Sequence, residues 1–364
     1  MKKLKIVQIS PYEESVPPRR YGGAELIVSY ITEELINRGH KVFLIASGDS
    51  ITKAKLLPVC PKSIRTNLPI EDFSVKEIFK FIGIGKILKY LRDLNVDVIH
   101  NHVGWRMLPF EQLLKVPMIT TIHGSLDIKF KQIIYDSFKK SYFVSISNNQ
   151  REPLPQLNYI GTVYNGIDTD TFSFNEEPQN YLAFLGRMSP EKGPIEAIKI
   201  AKKAGFHLKM AAKVNVEDKE FFEKEVAPLI DGKQIKFLGE VSQKEKVSLL
   251  KNAKALLAPI NWREPFGLFF IEPMACGTPV IAFRRGSVPE IIRNRLTGFI
   301  CRPNCIDSMV KAVKKIYQMP RKEYKEMRYR CRKHVEDNFT IKKMVSNYER
   351  IYYQVLKENG KTKS

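Results

Sequence analysis

Long apolar runs are missing from this chain of 364 residues. None approaches the roughly 20 residues that a membrane-spanning helix needs. The start, Met1-Lys2-Lys3-Leu4-Lys5, is basic like a secretion leader, but the apolar run behind it is only Ile6 to Ile9. Gln8 interrupts that run, and no small-residue cleavage site follows. Cysteine is scarce, five residues scattered along the chain. Cys301 and Cys305 lie close together but lack two further ligands at a zinc-like spacing. A reduced, cytoplasmic setting is therefore expected. The three-glycine fingerprint of dinucleotide-binding proteins is also absent, so NAD chemistry has no support.

Acidic residues are in deficit, with 39 Asp and Glu against 60 Lys and Arg, a formal net charge of +21. Such a charge attracts polyanions, phosphorylated ligands and anionic lipid surfaces. Nucleic acid is one candidate, but no zinc-finger spacing, RRM signature or helix-turn-helix pattern supports it. Metal, too, lacks a clustered set of ligands, and no cofactor is expected.

What is present is an alternation of strands and helices long enough for two domains. Leu4–Ser10 reads as a buried strand. Arg19-Arg20-Tyr21-Gly22-Gly23-Ala24-Glu25 leads into a helix over Leu26–Arg38, which Gly39 ends. Lys41–Ala46 is the next strand, and this opening is that of a Rossmann-like unit. Residues 50–75 show no clear period. A helix over Ile78–Asn95 follows, then strands ending in His100-Asn101-His102 and in His123. Strands over Tyr142–Ile146 and Tyr159–Tyr164 continue the series. Polar residues at the carboxyl ends of parallel strands face the ligand crevice in open α/β sheets. Thr171–Asn180 is polar and reads as a linker. A second series begins at Tyr181, with Arg187 and Lys192 flanking a Ser-Pro turn before a helix, an arrangement suited to a diphosphate. A helix is predicted over Phe221–Ile230, and from Ile306 the chain is helical and basic.

The most informative stretch is Ala258–Pro279, APINWREPFGLFFIEPMACGTP. A strand leads into a polar turn. Pro265 suits the first turn of a helix, because its missing N–H has no partner there. Gly267 and Leu268 leave backbone N–H groups free at that helix start, where phosphate or hydroxyl oxygens bind well. Glu264 precedes the helix. Glu272 falls inside it among apolar neighbours, where an unpaired carboxylate is costly to bury.

This stretch resembles the donor-site signature of retaining family 4 glycosyltransferases, which have the GT-B fold. The residues carrying the resemblance are Glu264, Pro265-Phe266-Gly267-Leu268, Glu272 and Met274-Ala275-Cys276-Gly277-Thr278-Pro279-Val280. Tyr21 to Glu25, His123-Gly124, Asn165-Gly166-Ile167-Asp168, Gly186-Arg187 and Lys192-Gly193 fall in family order around it. The resemblance implies an α/β architecture of two Rossmann-like domains facing across a cleft. Residues 1–172 would form the acceptor-side domain and 180–335 the donor domain, with 336–364 returning to the first. It also implies transfer of a hexose from a nucleoside diphosphate sugar, of the UDP-glucose or GDP-mannose type, to an acceptor hydroxyl. Arg187, Lys192 and the amides of Gly22, Gly23, Gly267 and Leu268 would hold the diphosphate in place of a metal ion. Glu264 would hold sugar hydroxyls beside Phe266, Glu272 the ribose hydroxyls, and His123 the sugar. The acceptor stays open among glycolipid, polysaccharide and small molecule. So does peripheral contact with an anionic membrane, suggested by Arg19-Arg20 and the basic stretch Lys76–Arg92. A sugar-nucleotide epimerase or hydrolase and a non-enzymatic polyanion-binding protein are the competing readings.

Overall fold

The computed structural model describes residues 2–19, 22–67 and 73–360. Arg20 and Tyr21, singled out in the glycine-rich opening, lie outside these described residues. The chain forms two compact units, Met1–Gly166 with Ile341–Ser364, and Ile167–Thr340.

The first unit is built on seven strands: β1 Lys5–Ile9, β2 Lys41–Ser47, β3 Lys55–Cys60, β4 Val98–Asn101, β5 Met118–Ile122, β6 Tyr142–Ser145 and β7 Tyr159–Thr162. Their order is β3-β2-β1-β4-β5-β6-β7, and the pairings are parallel. Strands buried on both faces read as near-continuous β-branched and apolar runs, as KIVQI and KVFLIAS do here. The order reverses at β1, so the carboxyl ends of β1 and β4 form the topological switch point where open α/β sheets bind ligands. β3 fills part of the unassigned 50–75 region. It lacks a period because it is a half-exposed edge strand carrying Pro58.

The last helix, Ile341–Glu358, belongs to this first unit although it is farthest from it in sequence. It buries Tyr348, Ile351, Tyr352 and Val355. Arg38, just past the Gly23–Asn37 helix, bonds Glu349 and donates to Ser346 Oγ at 2.8 Å. His40 Nε2 lies 2.8 Å from the other oxygen of Glu349.

The second unit has six parallel strands: β8 Tyr181–Arg187, β9 His207–Lys213, β10 Ile235–Phe237, β11 Ala255–Ala258, β12 Val280–Phe283 and β13 Gly298–Cys301. Their order is β10-β9-β8-β11-β12-β13, which puts the switch point between β8 and β11. Two expectations are modified here. The helix predicted over Phe221–Ile230 is present but irregular, α-helical at Lys219–Phe221, π-helical at Phe222–Val226 and a 3₁₀ turn at Ala227–Leu229. Pro228 brings no N–H to an α-helical ladder. The stretch Thr171–Asn180 is no free linker but is tied down within the second unit. Phe174 stacks on Tyr329 at 4.9 Å, and Asn175 Nδ2 donates to Asn252 Oδ1 at 2.9 Å. The wholly buried Arg328 donates to Asn175 O at 2.8 Å and to the carbonyls of Lys251 and Cys276 at 3.0 and 3.2 Å.

Candidate functional site

At the second unit's switch point, β8 ends in Gly186-Arg187 and the chain makes a tight turn, Pro190–Lys192. Gly193 closes that turn with φ +72°, and a Cβ there would sit 2.1 Å from Pro259 O. Only glycine permits this approach, which docks the turn on the end of β11, where Asn261 N donates to Glu191 O at 2.8 Å. The docking brings two predicted residues together. Lys192 Nζ lies 2.5 Å from Glu264 Oε2, and Trp262 Nε1 donates to the same oxygen at 3.1 Å. The ammonium also sits 4.9 Å from the Trp262 ring and 4.7 Å from the Phe269 ring, where the ring faces attract a cation. Lys192 and Glu264 are each only 8% exposed. Charges so far out of water must be paired and hydrogen-bonded, and these are.

The Glu264 loop is clamped from its other side by a pair that sequence reasoning did not single out. Gly286, at φ +52°, lies flat against the Glu264 backbone. Ser287 N donates to Glu264 O at 3.0 Å, and Ser287 Oγ donates to Phe266 O at 2.6 Å. The helix behind the loop runs Leu268–Ala275, so it starts beyond Pro265, the predicted start. Gly267 is the reason. Its φ of +83° is left-handed, so helical geometry begins only with Leu268. Phe266 is buried, edge-on to Phe339 at 5.9 Å.

Glu272, 5% exposed on the Leu268–Ala275 helix, is the carboxylate whose burial demanded a partner. That partner is Lys246, at 2.7 Å, from the helix Gln243–Lys251. Glu264 and Glu272 therefore have separate cations. Arg187 is held by Glu191 and lies 3.8 Å from Asp218, whose carboxyl burial pushes upward. The chain does contain one Asp-x-Asp triplet, Asp168-Thr169-Asp170. Asp168 spends its carboxylate as a local cap, accepting from Asp170 N at 3.1 Å and Thr171 Oγ1 at 2.8 Å.

In the first unit, Gly22 precedes the helix that begins at Gly23. A Cβ on Gly22 would meet Pro18 Cβ at 2.8 Å, whereas one on Gly23 would meet nothing within 4 Å. Buried Glu25 follows, its carboxyl pushed up to about 7 chiefly by desolvation.

His123 and the Asn101-His102 pair do occupy strand ends, and the structure joins them to residues the sequence did not flag. His102 Nδ1 is 2.8 Å from His123 Nε2, and His102 Nε2 is 2.9 Å from Gln8 Oε1. Gln8 Nε2 donates to Tyr352 OH at 3.2 Å. Tyr352 OH and Thr121 Oγ1 each lie 2.7 Å from a nitrogen of His100, and Thr121 Oγ1 donates to Tyr348 OH at 3.2 Å. The chemistry of the groups orients this chain. Gln8 Oε1 can only accept, so His102 carries its proton on Nε2. His102 Nδ1 then accepts from His123 Nε2–H, and His123 is left with Nδ1 as a bare acceptor. Burial pushes His123 down to about 4 and holds His100 and His102 well below the ordinary imidazole range, so all three are neutral at pH 7. Asn101 plays another part. Its Nδ2 donates to Gly104 O and Thr120 Oγ1 at 2.9 and 3.0 Å, fixing the loop after β4.

Comparison with known proteins covers both units. A family model described as Glycosyltransferase Family 4 matches residues 21–171, and one described as Glycosyl transferases group 1 matches residues 167–334. The N-acetyl-alpha-D-glucosaminyl L-malate synthase of Bacillus anthracis is 26% identical over 387 residues, spanning 93% of this chain and 96% of the relative. A sucrose-phosphate synthase structure from Thermosynechococcus elongatus superposes with a TM-score of 0.80 at 18% identity, covering 98% of this chain and 100% of its own. The Anabaena protein HepE, in complex with UDP-glucose, gives a TM-score of 0.74 at 15% identity, covering 96% and 100%.

Proposed function

Because this chain belongs to the family 4 glycosyltransferases (glycosyl transferases group 1) and has their GT-B fold, we propose that it transfers a hexose from a UDP-glucose-type or GDP-mannose-type donor to an acceptor hydroxyl. The anomeric configuration is retained. The observation that carries this reading is the desolvated Lys192–Glu264 pair at the β8/β11 switch point. An ammonium has three N–H donors and one here goes to Glu264, so Lys192 is equipped to bind phosphate oxygens as well. Glu264 Oε1 is the oxygen offered to sugar hydroxyls. Glu272, on the next helix, takes the ribose hydroxyls.

Negative charge grows on the diphosphate as the glycosidic bond breaks. Arg187, Lys192 and the Gly267 and Leu268 amides stabilise that charge, and being fixed beforehand they need no reorganisation. The same groups stand in for a divalent ion. His123, held neutral, contacts the sugar, and Gly22 and Gly23 offer amides to the diphosphate. Retention follows from front-face attack assisted by the leaving phosphate, and no carboxylate nucleophile is invoked. The UDP-glucose bound by HepE supports the donor class. The relative named for malate and the neighbour named for sucrose phosphate point to different acceptors, so the acceptor is not carried over from either. No described helix is long and apolar enough to cross a membrane. The reading extends to a cytoplasmic enzyme in peripheral contact with the inner membrane face, its basic surface supplying the attraction, while the acceptor stays open among glycolipid, polysaccharide and small molecule.

A thermal-shift panel of nucleotide sugars tests the core of this. Ligand at 100 times its dissociation constant adds about 2.7 kcal/mol of apparent stability, so one base-sugar combination should stand out. With that donor, Glu264→Gln should lower turnover by about 10²-fold, the loss typical of removing one preorganised polar group. Turnover should survive a chelator. A panel without any response, or a Gln variant with full turnover, overturns the site. Loss in chelator that magnesium or manganese restores overturns the metal-free route.

A further inference from the structure

Three elements of the first unit share one face. They are the helix Phe73–Asp93, the turn segment Gly104–Leu113 and the helix Lys129–Ser137. Glu77 on the first holds Arg106 on the second at 2.7 Å. The Arg106 guanidinium lies 4.5 Å over the Trp105 ring, and Trp105 meets Phe130 of the third element edge-on at 6.4 Å. Around this seam large apolar side chains point to solvent: Ile78 is 58% exposed, Phe81 71%, Ile82 53%, Phe130 56% and Ile133 63%. Scattered exposed apolar residues need no explanation, but Ile78, Phe81 and Ile82 recur at i, i+3 and i+4 on one helix, and Phe130 and Ile133 at i and i+3 on another. The second unit shows the scattered kind, in Val216, Leu238 and Leu296.

Cations flank the apolar group. Lys86, Lys89 and Lys129 are exposed on the same two helices. The acids of these elements have partners of their own, Glu77 in Lys80 and Arg106, Asp93 in Arg92, Glu111 in Ser141 and Asp136 in Gln156. Unpaired lysines beside exposed apolar side chains favour an occupant that is anionic at its surface and apolar beneath. That describes a bilayer whose anionic headgroups overlie hydrocarbon, the pairing that interfacial helices exploit.

We propose that this face docks on an anionic lipid bilayer, with Phe81, Ile82, Phe130 and Ile133 entering the headgroup–acyl boundary and Lys86, Lys89 and Lys129 meeting lipid phosphates. The proposal rests on the reading of peripheral membrane contact, and it gives that reading a surface. The test is co-sedimentation of the full chain with phosphatidylcholine vesicles, with and without phosphatidylglycerol, at low and high salt. Binding should require phosphatidylglycerol, weaken with salt, and fall at least about tenfold in Phe81→Ser/Phe130→Ser and in Lys86→Glu/Lys89→Glu. Val216→Ser/Leu238→Ser should bind like the parent. Each variant should keep its melting temperature and its shift with the donor sugar nucleotide, which separates failure of docking from failure of the glycosyltransferase reading. Absence of binding at low salt overturns the proposal. So does binding that the Phe81/Phe130 change leaves intact, which would reflect net charge alone. A concentration-dependent dimer abolished by that change would also overturn it, because the face would then belong to a second protein.

Discussion

Gly286→Ala is expected to damage the enzyme from a position that touches no substrate. A Cβ at residue 286 would lie 2.3 Å from Glu264 O, 2.4 Å from Glu264 N and 2.9 Å from Arg263 C. Ordinary contact begins at 3.4 Å, so the Glu264 backbone must retreat by about 1 Å, and backbone cannot swing aside as a side-chain tip can. The left-handed φ of +52° adds about 1–2 kcal/mol for any residue with a Cβ. Overpacking against a fixed neighbour adds about 1–3 kcal/mol. Together the loss of stability is about 2–5 kcal/mol. A displacement of about 1 Å at a positioning group costs on the order of 10² in rate. Gly205→Ala is the control, since Gly205 has φ +82° but nothing within 4 Å of the added Cβ. It should lose only the backbone term and keep full turnover. Urea unfolding and steady-state rates on both variants decide the matter. If the two variants prove equally stable, or if Gly286→Ala turns over like the parent, the clamp on Glu264 is not what holds the site.

Mild acid should destabilise the protein by forcing protons onto its buried histidines. His100, His102, His123 and His334 all bind protons less readily folded than unfolded, so stability should fall as pH drops below about 6.5, the ordinary histidine value. Glu25 works in the opposite sense, its raised pKa of about 7 favouring the folded state as pH falls. Glu111 and Asp218, which burial also raises, act mainly nearer the carboxylate range. The four histidines therefore dominate between pH 6.5 and 5, and a urea midpoint that rises as pH falls over that interval would contradict the burial assigned to them. Gln8→Leu should leave His102 without its acceptor and Tyr352 without a donor, lowering stability by about 1–3 kcal/mol. It should also let His123 change tautomer, so turnover should fall by about tenfold with the donor KM unchanged. Unaltered turnover in a destabilised variant would make the histidine relay purely structural.

The α/β alternation was legible because buried parallel strands and amphipathic helices leave local patterns. The dense run from Glu264 to Thr278 made the family legible too. What stayed hidden depends on partners far apart in sequence. Glu272 announced that it needed a cation, but nothing local marked Lys246, on a helix of polar appearance, as that cation. Gly286 carries no local mark of its role, because only the folded chain shows what its missing Cβ makes room for. Nothing local ties Gln8, His100 and Thr121, on three strands far apart in sequence, to one another. The sheet order places those strands side by side, and the relay then follows from chemistry that no single strand contains.

The last helix of the chain has a consequence for synthesis. Once Thr340 has cleared the ribosome, the second unit has every residue it will ever have. The first unit does not. Gln8, His100 and Thr121 are made early, while their hydroxyl partners Tyr348 and Tyr352 arrive only with the helix Ile341–Glu358. Until then a buried polar cluster stands half satisfied, a condition that keeps a nascent domain open and attractive to chaperones. The half that is translated first is the half that finishes folding last. A stop codon near Thr340 would therefore cripple the amino-terminal unit while sparing the carboxyl-terminal one.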